Sequence, residues 1–104
     1  MKIVVDKQIT DWKGLREEEL SKRFAEVLKV GMHSDLPQRM DDKAIASYCI
    51  KNDCPLITAD IKAYSNFFQT GSETVEIRLY GFDKKADRQV FIVRTVDRPR
   101  PVDS

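Results

Sequence analysis

The chain has 104 residues, 41% of them hydrophobic and 34% charged, which suits one small domain with a buried core and excludes wholesale disorder. Lys and Arg number 18 against 17 Asp and Glu, a formal charge of +1, so a nucleic-acid wrapper held by bulk charge alone is excluded. No apolar run approaches the ~20 residues that span a bilayer, and the opening Met-Lys-Ile-Val-Val-Asp turns acidic too early for a secretory signal, so no membrane partner is expected.

Residues 2–5, Lys-Ile-Val-Val, form a short apolar run closed by Asp6 and predict a buried strand. Residues 7–13 are polar, with Trp12 and Gly14 marking a connection. Leu15, Leu20, Phe24, Val27 and Leu28 then recur at helix-like spacing among charges, which predicts an amphipathic helix over 15–29 with Gly31 at its end. Residues 32–40, with Ser34, Asp35 and Pro37, read as a loop with room for one short strand. A second helix should begin at Asp41 or Asp42 and run to Asn52, with Ile45, Tyr48 and Cys49 on one face. Pro55 to Ala59 is a short apolar strand ended by Asp60, and a third helix covers 61–69 before Thr70-Gly71-Ser72. Val75, Ile77 and Leu79 alternate with Glu76 and Arg78 in a strand over 74–80. A charged turn over 81–87 leads to a strand over 89–96, and the two strands read as a hairpin. This order predicts a single α/β domain over residues 1–97: a three-layer sandwich with a mainly parallel central sheet and an antiparallel C-terminal edge hairpin. Residues 98–104 are expected to form a flexible tail.

Three aspartates matter because of where this architecture puts them. Asp6 and Asp60 each follow a strand, and parallel strands would bring both to one edge of the sheet. Asp42 opens the helix that feeds the second of these strands, so its end of the helix lies at the same edge. Each residue has an ordinary reading as well: Asp42 and Asp60 as helix caps, Asp6 as the start of a turn. Converging carboxylates repel by ~4 kcal/mol per pair in a partly buried site, so they call for a counter-charge or a raised pKa. A hard divalent cation, Mg²⁺ or Mn²⁺, suits an all-oxygen donor set, and metal-dependent phosphodiester hydrolysis follows from it. Thr58, two residues before Asp60, points to the same side of the extended chain and either orients a metal-bound water or fills the strand end.

Residues 3–6 and 41–64 resemble a PIN domain, the metal-dependent ribonuclease fold also found in toxins of toxin–antitoxin pairs. The resemblance rests on Asp6 ending the first strand, on Asp42-Lys43-Ala44-Ile45 opening a helix, on the apolar Leu56-Ile57, and on Thr58-Ala59-Asp60 followed by Tyr64. It implies Asp6, Asp42 and Asp60 as catalytic metal ligands, and in-line attack of water on an RNA phosphodiester to leave a 5′-phosphate and a 3′-hydroxyl. It also implies RNA as partner, a homodimer, and either an antitoxin or another protein as cognate partner. PIN nucleases commonly carry another acid between the first two aspartates. Here Glu17, Glu18, Glu19, Glu26 and Asp35 are on offer and no spacing rule selects one, while Asp41, doubled with Asp42, is a further candidate for the missing ligand. The alternative is a non-catalytic PIN-like module that binds RNA or a protein.

Other features carry less. Lys84, Lys85 and Arg88 on the hairpin turn are candidate RNA contacts, diluted by Asp83 and Asp87. Cys49 and Cys54 are too few for a disulfide framework, which suits a reducing, cytoplasmic setting; with His33 the single histidine, a cysteine-zinc enzyme is excluded. Trp12, Phe67 and Phe68 read as core or dimer contacts. Asp6 is followed by Lys7-Gln8, which excludes the Asp-x-Asp of a haloacid-dehalogenase-type phosphatase, and no glycine before Gly14 offers a dinucleotide-binding turn.

Overall fold

In the computed structural model, which describes residues 2–10, 12–71 and 74–96, the first apolar run is strand β1 (Lys2–Val5), with Ile3, Val4 and Val5 buried. Burial of all three side chains means that β1 cannot be an edge. Its backbone N–H and C=O groups need a partner strand on each side. β3 (Leu56–Thr58) supplies one, running parallel with Val4 opposite Leu56 and Val5 opposite Ile57. The other comes from a segment whose periodicity reads as helix: β2 (Glu26–Lys29) runs parallel to β1, with Lys2 opposite Glu26 and Val5 opposite Lys29.

The expected helix over 15–29 is therefore two elements. Helix α1 (Glu17–Arg23) stops at Phe24, whose φ of −124° and ψ of 140° are already extended. Val27 and Leu28, neighbours on a helical wheel, point to different hydrophobic clusters, as strand alternation requires. Gly31 ends β2 rather than a helix, at φ +92° where a side chain would be strained, and its N–H donates to the Leu36 carbonyl at 2.7 Å. Between residues 32 and 40 the described pairing is a single bridge, His33 with Leu36, in place of a short strand.

Helix α2 (Asp42–Lys51) and helix α3 (Ala63–Gln69) flank β3 in the chain, and Asp53, at φ +53°, turns the chain out of α2 toward it. Strands β4 (Val75–Asp83) and β5 (Arg88–Thr95) form the antiparallel hairpin, longer than the sequence suggests. The expected turn over 81–87 shrinks because Gly81, Phe82 and Asp83 pair with Val90, Gln89 and Arg88 beyond a register shift between Leu79 and Gly81. Gly81 has a packing reason: a Cβ there would stand 2.8 Å from the Trp12 ring.

Strand order is β2-β1-β3-β5-β4, with β5 antiparallel to β3. The sheet is thus mixed, two parallel pairings followed by two antiparallel ones, where a mainly parallel sheet was expected. Two hydrophobic clusters divide the alternate residues of each strand. Val4, Leu56 and Val93 join Ile45, Cys49 and Phe67 of α2 and α3. Ile3, Val5 and Ile57 join Ile9, Leu15 and Leu20. Cys49 and Cys54 are buried free thiols in the first cluster. Among the described residues, no helix is long and apolar enough to cross a membrane. The expected domain end at residue 97, the tail 98–104 and the side chain of Tyr64 lie outside the described residues.

Candidate functional site

The parallel pairing of β1 and β3 brings Asp6 and Thr58 together. The Asp6 N–H donates to the Ile57 carbonyl at 2.9 Å, and the Thr58 hydroxyl donates to Asp6 Oδ2 at 2.7 Å. Thr58 Oγ1 in turn accepts from the Asp60 N–H at 3.1 Å, so one buried hydroxyl ties the ends of both strands. The alternation that puts Thr58 on the side of the acids is what makes this contact. Asp60 turns the chain into α3, its Oδ1 accepting from the Lys62 N–H at 2.9 Å.

The two aspartates at the start of α2 divide their roles. Asp41 is the N-cap, with Oδ1 accepting from the Ala44 N–H at 2.7 Å, whereas Asp42 is the first residue of the helix proper. Capping thus falls to Asp41, and Asp42 is left exposed at the sheet edge. A cleft of about 10 Å³, room for roughly one water or one small ion, is lined by Asp6, Asp42, Thr58, Asp60 and Asn66. Asp41 does not line it, nor do Glu17, Glu18, Glu19, Glu26 or Asp35. Glu17 is held by Lys29, and Asp35 sits beside His33.

Asp6 is the unusual member. It is 3% exposed, and Oδ1 is buried without a hydrogen-bond partner. Burial raises its carboxyl above the ordinary range, the Thr58 hydrogen bond opposes that rise, and the negative charge of Asp42 adds to it. A desolvated carboxylate with a spare oxygen and an acidic neighbour is an acceptor in want of a cation or a proton. Among the described residues, no three of His, Cys, Asp and Glu stand grouped as a ready-made ligand set.

Asn66 was missed by sequence reasoning. The signal was its position: in α3, Ala63 and Phe67 are buried, and Asn66 shares that inward face as a polar residue. The candidate RNA contacts fare differently from one another. Arg88 is committed to the hairpin, with Nε on Asp83 at 3.3 Å and a guanidinium nitrogen on the Gln8 carbonyl at 2.8 Å. Lys84 and Lys85 are exposed on the turn.

A larger groove of about 510 Å³ lies among Leu20, Phe24 and Ile92, rimmed by Arg16, Arg78 and Arg94. Its charges are largely matched: Glu76 meets Arg78 at 2.8 Å and Arg94 at 3.2 Å, and Arg16 lies over the Tyr80 ring, 4.5 Å from the centroid. Neither a protein-family model, nor a curated protein, nor a solved structure matches the chain. The functional reading therefore stands on the acidic cleft.

Proposed function

We propose that this protein is a PIN-like ribonuclease that uses Mg²⁺ or Mn²⁺, with Asp6, Asp42 and Asp60 as the metal-binding catalytic acids. The observation that carries the reading is that Asp6, whose buried Oδ1 has no partner, lines one cleft with Asp42 and Asp60. The donor set fits a hard divalent cation: every candidate ligand is an oxygen, the space suits one small ion, and a positive charge would relieve the desolvated Asp6. The carboxylates are spaced more loosely than a ligand set, and the exposed Asp42 has the side-chain freedom to close on Asp6. When bound, such an ion supplies Lewis acidity and lowers the pKa of a coordinated water. The chain's own residues do the rest. Thr58 holds Asp6 Oδ2 and Oδ1 is left without a partner, while the N-cap at Asp41 leaves the Asp42 carboxylate unspent. The two hydrophobic clusters support reading the α/β domain as the three-layer PIN arrangement, with RNA as substrate and exposed Lys84 and Lys85 as candidate phosphate contacts.

The test is cleavage of single-stranded RNA with Mn²⁺ by the wild type and by Asp60→Asn. The wild type should cut and the variant should not; equal cleavage by both would end the assignment. A second reading, a non-catalytic PIN-like module that binds RNA or a protein partner such as an antitoxin, is favoured by the loose spacing of the carboxylates. Thermal melts separate the two. Mn²⁺ at ~100-fold above its dissociation constant should add ~2.7 kcal/mol to a metal-binding site, whereas a flat melt favours the inert module.

A further inference from the structure

β4 is an edge strand, and among the described residues no strand pairs with its outer side. The Val96 N–H donates to the Thr74 carbonyl at 2.9 Å, which marks residues 74 and 96 as a hydrogen-bonded pair. In an antiparallel ladder such pairs recur at every second residue, so Glu76 with Arg94 and Arg78 with Ile92 continue the series. The backbone N–H and C=O groups of Val75, Ile77 and Leu79 therefore point to the open edge. The five residues 75–79 precede the register shift between Leu79 and Gly81 and form the regular part of the edge.

Their side chains carry a pattern that matches its own reverse. Val75, Ile77 and Leu79 share the face on which Val75 and Ile77 pack against the α2–α3 cluster, yet Leu79 is 63% exposed. Glu76 and Arg78 share the other face, beside Arg94. We infer that β4 is the docking surface for a second copy of this chain, the two β4 strands pairing antiparallel about Ile77. In that register Glu76 faces the partner's Arg78, Ile77 faces the partner's Ile77, and Leu79 faces the partner's Val75. Unlike charges oppose at both charged positions, apolar groups oppose at all three others, and each exposed Leu79 is covered. Shifting the register by one residue puts charge opposite hydrocarbon. Shifting it by two about Arg78 sets Arg78 against its own copy, and about Glu76 sets Glu76 against its own copy, like charges that repel. This pairing is independent of the nuclease reading.

Five residue pairs bury less than the ~1,200 Å² of a permanent complex, so the dimer is reversible and concentration-dependent. Sedimentation of the wild type between roughly 10 µM and 1 mM should show a monomer–dimer equilibrium, with the amide hydrogens of Ile77 and Leu79 exchanging more slowly at the high end. Arg78→Glu, on a residue whose side chain is 69% exposed, should keep the fold by circular dichroism and weaken the dimer by about tenfold or more, because two attractive pairs become two repulsive ones. Mixing Arg78→Glu with Glu76→Arg should restore dimers, as heterodimers in which both charged positions are again matched. A wild type that stays monomeric over this range overturns the proposal. So does an Arg78→Glu protein that dimerises as the wild type does, or a mixture of folded variants that stays monomeric while the wild type dimerises.

Discussion

Thr58 and Asp6 illustrate how much one buried hydrogen bond decides. Thr58 is 0% exposed and its hydroxyl donates at 2.7 Å to a carboxylate whose other oxygen has no partner. Thr58→Val keeps the shape of the side chain and removes the hydroxyl donor to Oδ2, beside an Oδ1 that already has no partner. The expected loss is ~1–3 kcal/mol, measured by urea unfolding at neutral pH. The Asp6 carboxyl itself sits above its ordinary value, burial being the main cause. A carboxyl whose pKa is higher folded than unfolded holds more protons in the native state across the window between the two values. Its contribution to stability is therefore present at low pH and is lost as pH rises from the ordinary carboxyl value of 3.8 through the raised folded value. Unfolding of Asp6→Asn across that window should show a flatter profile than the wild type in the absence of divalent ions. A profile that keeps its slope would assign the pH dependence to other carboxylates.

At the scale of elements, the start of α2 separates a structural acid from a chemical one. Asp41→Ala removes the cap on Ala44 and should lower stability by ~1 kcal/mol while leaving Mn²⁺ stabilisation in place. Asp42→Ala should cost less in stability and abolish the Mn²⁺ effect; thermal melts of both variants with and without the ion make the comparison. The bounds of this helix are legible in the sequence to within a residue, because the capping acids, the apolar spacing of Ile45 and Cys49, and Pro55 beyond its end all agree. Residues 26–29 are not legible in the same way, because Phe24, Val27 and Leu28 mimic a helical stripe. Local pattern is overruled there by a long-range partnership: the backbone groups of β1, buried on both faces, need partners, and Glu26–Lys29 supplies them as a second parallel neighbour.

For the whole molecule, the division of the sheet's side chains into two clusters sets which groups chemistry can reach. Cys49 and Cys54 lie inside the first cluster as free thiols, and burial pushes the thiol pKa of both upward. A thiol reagent should therefore label the native protein slowly, at the rate of unfolding, and label both residues at once in denaturant. Rapid labelling of the native chain would mean that the α2–β3 junction opens locally. The same enclosure leaves the acidic cleft at the carboxyl ends of β1 and β3 and the β4 edge as separate surfaces, so metal binding and self-association are expected to vary independently among the variants above.

Local chemistry written in the chain is enough for the buried first strand, the second and third helices, the hairpin, and the placing of Asp6, Asp42, Thr58 and Asp60 along one cleft once two strands run parallel. Long-range packing settles that Asp41 takes the cap, that Asn66 joins the cleft, that residues 26–29 form a strand, and that β4 is the edge of the sheet among the described residues. The reason is physical. Periodicity and capping act over one or two helical turns, whereas strand partnership and the satisfaction of buried polar groups depend on residues brought close by the rest of the chain.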